Sequence, residues 1–140
     1  MAEFTAVANQ VVAANQNVAL TETPVCGGMN IIHREGAGIV VLRGTCSQCR
    51  ARYKVSFGAN ISVPTGGTVG AISIALSVQG EPLQSTVATV TPAAVEELFN
   101  VYTAVFVDVP KGCCVTVAVR NVSDQAINVV NSNLIIERVA

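Results

Sequence analysis

Apolar residues recur along this chain mostly every second position, the period of a strand with one face buried. From Tyr53 the odd positions read Tyr53, Val55, Phe57, Ala59, Ile61 and Val63, while Arg52, Lys54, Ser56, Asn60 and Ser62 fill the other face. This predicts a long strand, bent or bulged at Gly58. After the break PTGGT, Ile72, Ile74, Leu76 and Val78 alternate with Ser73, Ala75, Ser77 and Gln79 until QGEP turns the chain. VYTAVFVDV (101–109) is β-branched or aromatic on both faces, which predicts a strand buried twice. PKG at 110–112 marks a hairpin leading into CCVTVAVRNV and, after SDQ, AINVVNSNLIIERV. NVALTET, NIIHRE and IVVLRGT read as shorter strands upstream. Eight or nine strands with a turn signal roughly every ten residues predict an all-β sandwich or jelly roll.

One stretch breaks the pattern. In TPAAVEELFN, Thr91 is a capping residue, Pro92 suits a first helical position, and good helix formers follow, so a helix of about two turns is expected. Residues 1–15 are rich in Ala, Val, Asn and Gln and read as an N-terminal arm or edge strand, docked on a partner or a neighbouring subunit. The jelly-roll domain then occupies 16–140.

Composition narrows the functional classes. Of the 140 residues 51% are hydrophobic and 12% charged, and the net charge is −1; a soluble domain averages roughly 25% charged residues. Without a basic cluster there is no counterion-displacing surface for nucleic acid. The first twenty residues lack the positive and continuous apolar regions of a secretory signal, and no apolar run reaches the length of a membrane-spanning helix. A soluble protein made in the cytoplasm is expected. Its five cysteines, an odd number, suit a reducing compartment.

Cys46 and Cys49, in GTCSQCRARYKVSFG, have the spacing of half a zinc site. The other possible ligands are Cys26, His33, Cys113 and Cys114, and none forms a second pair at ligand spacing. Adjacent Cys113 and Cys114 would point to opposite faces of a strand. A redox pair calls for a helix after the motif, whereas a strand follows here. The favoured reading is a tight turn with incidental or packed thiols, metal-free and without a cofactor. His33 has no marked nucleophile or orienting residue near it, and Glu96 and Glu97 lack the sugar-stacking aromatics of a glycosidase cleft. No catalytic residue is assigned and no enzyme is expected. Asn121 of NVS matches a glycosylation pattern that has no secretory route to use it. The glycines of REGAGIVVLRG and VPTGGTVG precede no helix and suit turns rather than phosphate loops.

Three stretches carry a resemblance to a known superfamily: CRARYKVSFGANISV, with Arg52-Tyr53-Lys54-Val55 in its central strand; TVGAISIALSVQGEPL, with its Ser77–Pro82 hairpin; and NSNLIIERVA, with Leu134–Ala140 as last strand. Together they resemble the jelly roll of the tumour necrosis factor and complement globular-head superfamily, in the style of its bacterial branch, the C-terminal heads of collagen-like exosporium glycoproteins. The likeness covers about residue 38 to the end. The chain lacks the collagen-like stalk of that branch. ANQNVALTETPV, IIHREGAGIVVLRG, FGANISVPTGGTVG and VTPAAVEELFNV are similar to small proteins of Firmicutes bacteria and their prophages.

These resemblances imply a non-enzymatic structural protein, a trimer on a phage capsid or similar particle, whose partners are its own copies and a major capsid or other surface protein. It would be made in a bacterial host and reside on the virion surface. The alternative they leave is a receptor- or glycan-binding head of a phage tail or bacterial surface structure.

The sparse charge adds to the case for self-association. A monomer of this mass exposes roughly 6,900 Å², so its charges would be about one per 400 Å² of that surface. Strands apolar on both faces need cover that one sandwich does not give. Self-association is therefore expected, and the resemblance implies a homotrimer, with Tyr102, Phe106 and Phe57 at axis or core positions.

Overall fold

The computed structural model describes residues 1–25, 28, 30–34, 36–44, 50–112 and 114–139. In chain order the strands are β1 (Ala2–Ala6), β2 (Gln10–Val12), β3 (Glu22–Val25), β4 (Ile31–His33), β5 (Ile39–Arg43) and β6 (Arg50–Ser62). They continue with β7 (Ile72–Val78), β8 (Glu81–Pro82), β9 (Ala88–Val90), β10 (Phe99–Pro110), β11 (Cys114–Asn121) and β12 (Ile127–Arg138). The first sheet runs β10-β6-β12-β1-β3, with β2 also on β12; the second runs β4-β5-β11-β7-β8, with β9 also on β7. All pairings are antiparallel. This is the all-β jelly-roll sandwich that the alternation predicts.

The core lies between the sheets. Tyr53, Val55, Phe57 and Ile61 of β6 face Ile72, Ile74 and Leu76 of β7 across it, all with 0% exposure. Tyr53 keeps its polar end satisfied at the margin, its hydroxyl donating to the Arg43 carbonyl at 2.7 Å. Burial also pushes its phenol above the ordinary range.

Several expectations change. β6 is regular against β10 through Gly58, and the irregularity falls on the strand at its other side. Between Val130 and Asn133 the register of β12 shifts, Asn131 adopts φ +55°, and its amide bonds to the Val7 carbonyl. β12 there changes partner from β2 to β1, so the bulge joins two short strands to one long one.

The N-terminal segment is woven into this arrangement. β1 is hydrogen-bonded on both sides, to β12 and β3, and buries Ala2, Phe4 and Ala6. Residues 2–6 are therefore an inner strand and not a loose arm.

No helix forms over 91–100: residues 91–98 bend and turn, and Phe99 and Asn100 begin β10. Only Pro92 of 91–98 is buried, Val95 and Leu98 are exposed, and Glu96 has φ +61°. Good helix formers without an apolar stripe have nothing to pack a helix against, and a left-handed residue stops it. The one helical turn among the described residues is the 3-10 turn Gln84–Thr86.

Nor is β10 buried on both faces. Val101, Thr103, Val107 and Val109 point inward, while Tyr102, Ala104, Phe106 and Asp108 are exposed. Phe57 is a core residue, whereas Tyr102 and Phe106 are each 62% exposed.

Candidate self-association face

The outer face of the first sheet follows from its register. Tyr102 pairs with Gly58, Ala104 with Ser56 and Phe106 with Lys54. On the other side of β6, Asn133 sits opposite Gly58, Ile135 opposite Ser56 and Glu137 opposite Lys54. Directly paired residues share a face. A patch of Tyr102, Ala104, Phe106 and the half-buried Ile135 is thus framed by amides at one end and charges at the other.

The charged end is ordered by one cross-strand pair. Arg52 donates to both oxygens of Asp108, Nε at 2.8 Å and Nη2 at 3.1 Å, and Arg50 approaches the same carboxylate at 3.5 Å. The hydrogen bond from Arg52 holds the Asp108 carboxyl below its usual range, with the charges of Arg52 and Arg50 adding to it. At the opposite end Asn100 Nδ2 donates to Asn60 Oδ1 at 3.2 Å. Nothing here resembles an acid–base pair, because the ion pair satisfies itself in water. The arrangement suits docking, with aromatic area on the edge strand and polar groups at both ends of it.

The candidate residues do not come together elsewhere. Cys26, Cys46, Cys49 and Cys113 lie outside the described residues, so the metal, redox and turn readings of the CSQC pair are not decided by this geometry; Cys114 is exposed with a free thiol. His33 donates from Nε2 to the Ala37 carbonyl at 2.9 Å and packs on Phe4 with ring centroids 4.6 Å apart. A carbonyl can only accept, so Nε2 carries the proton, and the ring reads as structural.

Glu96 does not sit in a helical turn. Its Oε1 accepts from the amide and hydroxyl of Thr65 at 2.9 and 3.0 Å and from Asn128 Nδ2 at 3.2 Å. These bonds, the Thr65 hydroxyl foremost, hold its carboxyl below the usual range. Glu97 takes no part in this cluster. Asn121 is fully buried. Its Nδ2 contacts the carbonyls of Val12, Ala13 and Gln125, and its Oδ1 accepts from the Ser123 amide. In the folded chain it is a cross-link of the fold, with no open side for a glycan.

Sequence reasoning named Tyr102 and Phe106 but missed Ala104 and Ile135, because the patch exists only once the register of three strands is known. It also missed a groove on the second sheet that includes Arg120.

No family model and no curated protein matches the chain. Solved structures do. Eiger TNF from S. frugiperda superposes with a TM-score of 0.72 at 13% identity, covering 99% of this chain and 91% of that one. The globular domain of zebrafish complement 1qA protein gives 0.65 at 12% identity, covering 96% and 94%. Murine APRIL gives 0.55 at 12% identity, covering 95% and 97%. At such identities the likeness is one of architecture: the chain has the jelly-roll fold of the tumour necrosis factor and complement 1q globular domains.

Proposed function

We propose that this chain is a non-enzymatic structural protein that associates into a homotrimer through the outer face of its first sheet and decorates the surface of a larger particle. The observation that carries the reading is the pair of aromatic side chains, Tyr102 and Phe106, each 62% exposed on the outer face of β10, the edge strand of the first sheet. Aromatic residues are enriched among the anchors of interfaces. A closed cyclic assembly covers such a face without leaving a growing end, and the sequence resemblance favours three copies. The separate likeness to prophage proteins makes a phage capsid the particle proposed.

Light scattering coupled to size exclusion at micromolar concentration tests the assembly. The expected mass is three times the 14.5 kDa of the chain. A stable folded monomer overturns the reading. The particle is tested by co-sedimentation of the assembled protein with capsids of a phage whose genome carries the gene. Retention in the capsid fraction is expected, and its absence removes the decorating role while leaving the assembly intact.

A further inference from the structure

The second sheet carries a groove of about 410 Å³ on its outer face, on the side of the sandwich away from the aromatic patch. Its floor is one row across three strands: Ile39 of β5 and Ser77 of β7 both pair with Ala118 of β11. Along β11 the row is flanked by Thr116 and Arg120. Asn15 and Asn17 form one wall, and the hairpin residues Gln79 and Gly80 form the other.

Arg120 bridges the two walls. Its Nε donates to the Asn15 carbonyl at 3.3 Å and its Nη1 to the Gly80 carbonyl at 2.9 Å. Both partners are neutral main-chain groups. The Nη2 amino group donates to none of the described residues in these bonds, and a guanidinium cannot shed its charge. The ion pairs at Asp108 are made by Arg50 and Arg52, not by Arg120. No carboxylate lines the groove. A half-buried cation is thus held in fixed geometry with no counter-charge, a pre-organised arrangement in which little ordering remains to be done when an anion arrives.

The remaining lining narrows the ligand. Gln79 fixes its own carbonyl end, Oε1 accepting from the amide and hydroxyl of Thr116 at 2.9 and 3.0 Å. That bond determines which end is the amino group, so Nε2 is a donor left for a ligand. With Asn17 the walls offer neutral donors and acceptors, the complement of hydroxyl groups. Arg120 is the one cation in the lining, which fits a single carboxylate better than a phosphate or sulfate ester. Among neutral hydrogen-bonding groups, one fixed cation suits a sugar bearing one acid group. We infer that this groove binds a carboxylated sugar residue, with Arg120 on the carboxylate and Gln79 and Asn17 on its hydroxyls.

The test uses the whole protein and D-glucuronate as probe, followed by amide and Arg Nε–Hε resonances in NMR titrations. Glucose and inorganic phosphate serve as comparators. Saturable shifts at Arg120, Gln79 and Gly80 are expected with millimolar affinity, at least about ten-fold tighter than for glucose or phosphate. Arg120→Ala removes the cation but also two bonds between the walls, so the deciding variant is Ile39→Glu. Ile39 is 46% exposed, and a carboxylate there places a competing charge in the groove without opening the core. This variant should keep the wild-type spectrum elsewhere and lose at least about ten-fold in glucuronate affinity. No saturable shift with glucuronate overturns the inference. So does equal binding of glucose, equal or tighter binding of phosphate, or undiminished binding by the Ile39→Glu protein.

Discussion

The ring of Tyr102 lies over Gly58, its partner on the neighbouring strand, so that a Cβ at position 58 would sit 3.7 Å from Tyr102 Cδ2. A glycine within a strand leaves a gap and weakens it; an aromatic ring across the strand covers that gap. The ring is therefore held against its own sheet, and it remains 62% exposed for a second chain to cover. Tyr102→Glu and Phe106→Glu should each convert the proposed trimer to monomer with an unchanged β-sheet circular dichroism spectrum. Light scattering reads the mass, and a persistent trimer in the double variant would move the interface elsewhere.

Phe4 decides whether the first strand belongs to the core. It is 2% exposed and packs on His33. Phe4→Ala should lower stability by about 3–5 kcal/mol, read as a shifted midpoint in urea. A loss under about 0.5 kcal/mol, the surface norm, would make the segment an arm after all.

Asn121 ties residues 12 and 13 to the turn before β12 through three carbonyls. Removing the donor leaves buried acceptors unpaired. Asn121→Ala should cost about 2–4 kcal/mol by the same measurement. An unchanged midpoint would show that water replaces the amide without loss.

Glu96 makes stability depend on acid. Its carboxyl is held below the ordinary range by Thr65, first through the hydroxyl and then through the amide, with a smaller contribution from Asn128. A depressed folded value means that its stabilising effect is full above the unfolded value and disappears as pH falls through the folded one. The stability difference between wild type and Glu96→Gln should therefore be constant near neutrality and shrink below about pH 4.5, the reference value for Glu. Denaturant midpoints across pH 2–7 measure it, and a difference that grows on acidification contradicts the assignment.

Two glycines differ in the room they leave. At Gly38 a Cβ would lie 2.8 Å from Asn17 Cβ and 3.0 Å from the Val18 carbonyl oxygen, whereas at Gly70 nothing lies within 4 Å. Gly38→Ala should cost about 1–3 kcal/mol through the forced shift. Gly70→Ala should be neutral or stabilise by up to about 1 kcal/mol through a stiffer unfolded chain. Thermal melts of the two variants should move in different directions or by clearly different amounts.

The strands were legible because their period is a property of the backbone. Tyr53 to Ile61 alternate in sequence and alternate in burial. The 91–100 segment was misread because helix propensity is local, while the bond from the Glu96 amide to the Val63 carbonyl is not. β10 was misread for another reason: composition records that Tyr102 and Phe106 are apolar but not whether their cover comes from this chain. The Arg120 groove left no signal at all. Its walls come from residues 15–17 and 79–80 and its floor from 39, 77 and 116–120, with no spacing to join them.

The sheet order has a consequence in time. β12, which spans residues 127–138, lies between β6 and β1. During synthesis, at roughly 5–20 residues per second, the chain makes both flanking strands long before the one that separates them. Until then the facing edges of β1 and β6 are unpaired, and they can pair with each other or with strands of neighbouring nascent chains. The register between Ala2 and Ile136 closes a loop of nearly the whole sequence, the slowest kind of contact to form. Completion of the first sheet thus waits until β12 has been made, and crowding on a polysome is the hazard this topology faces.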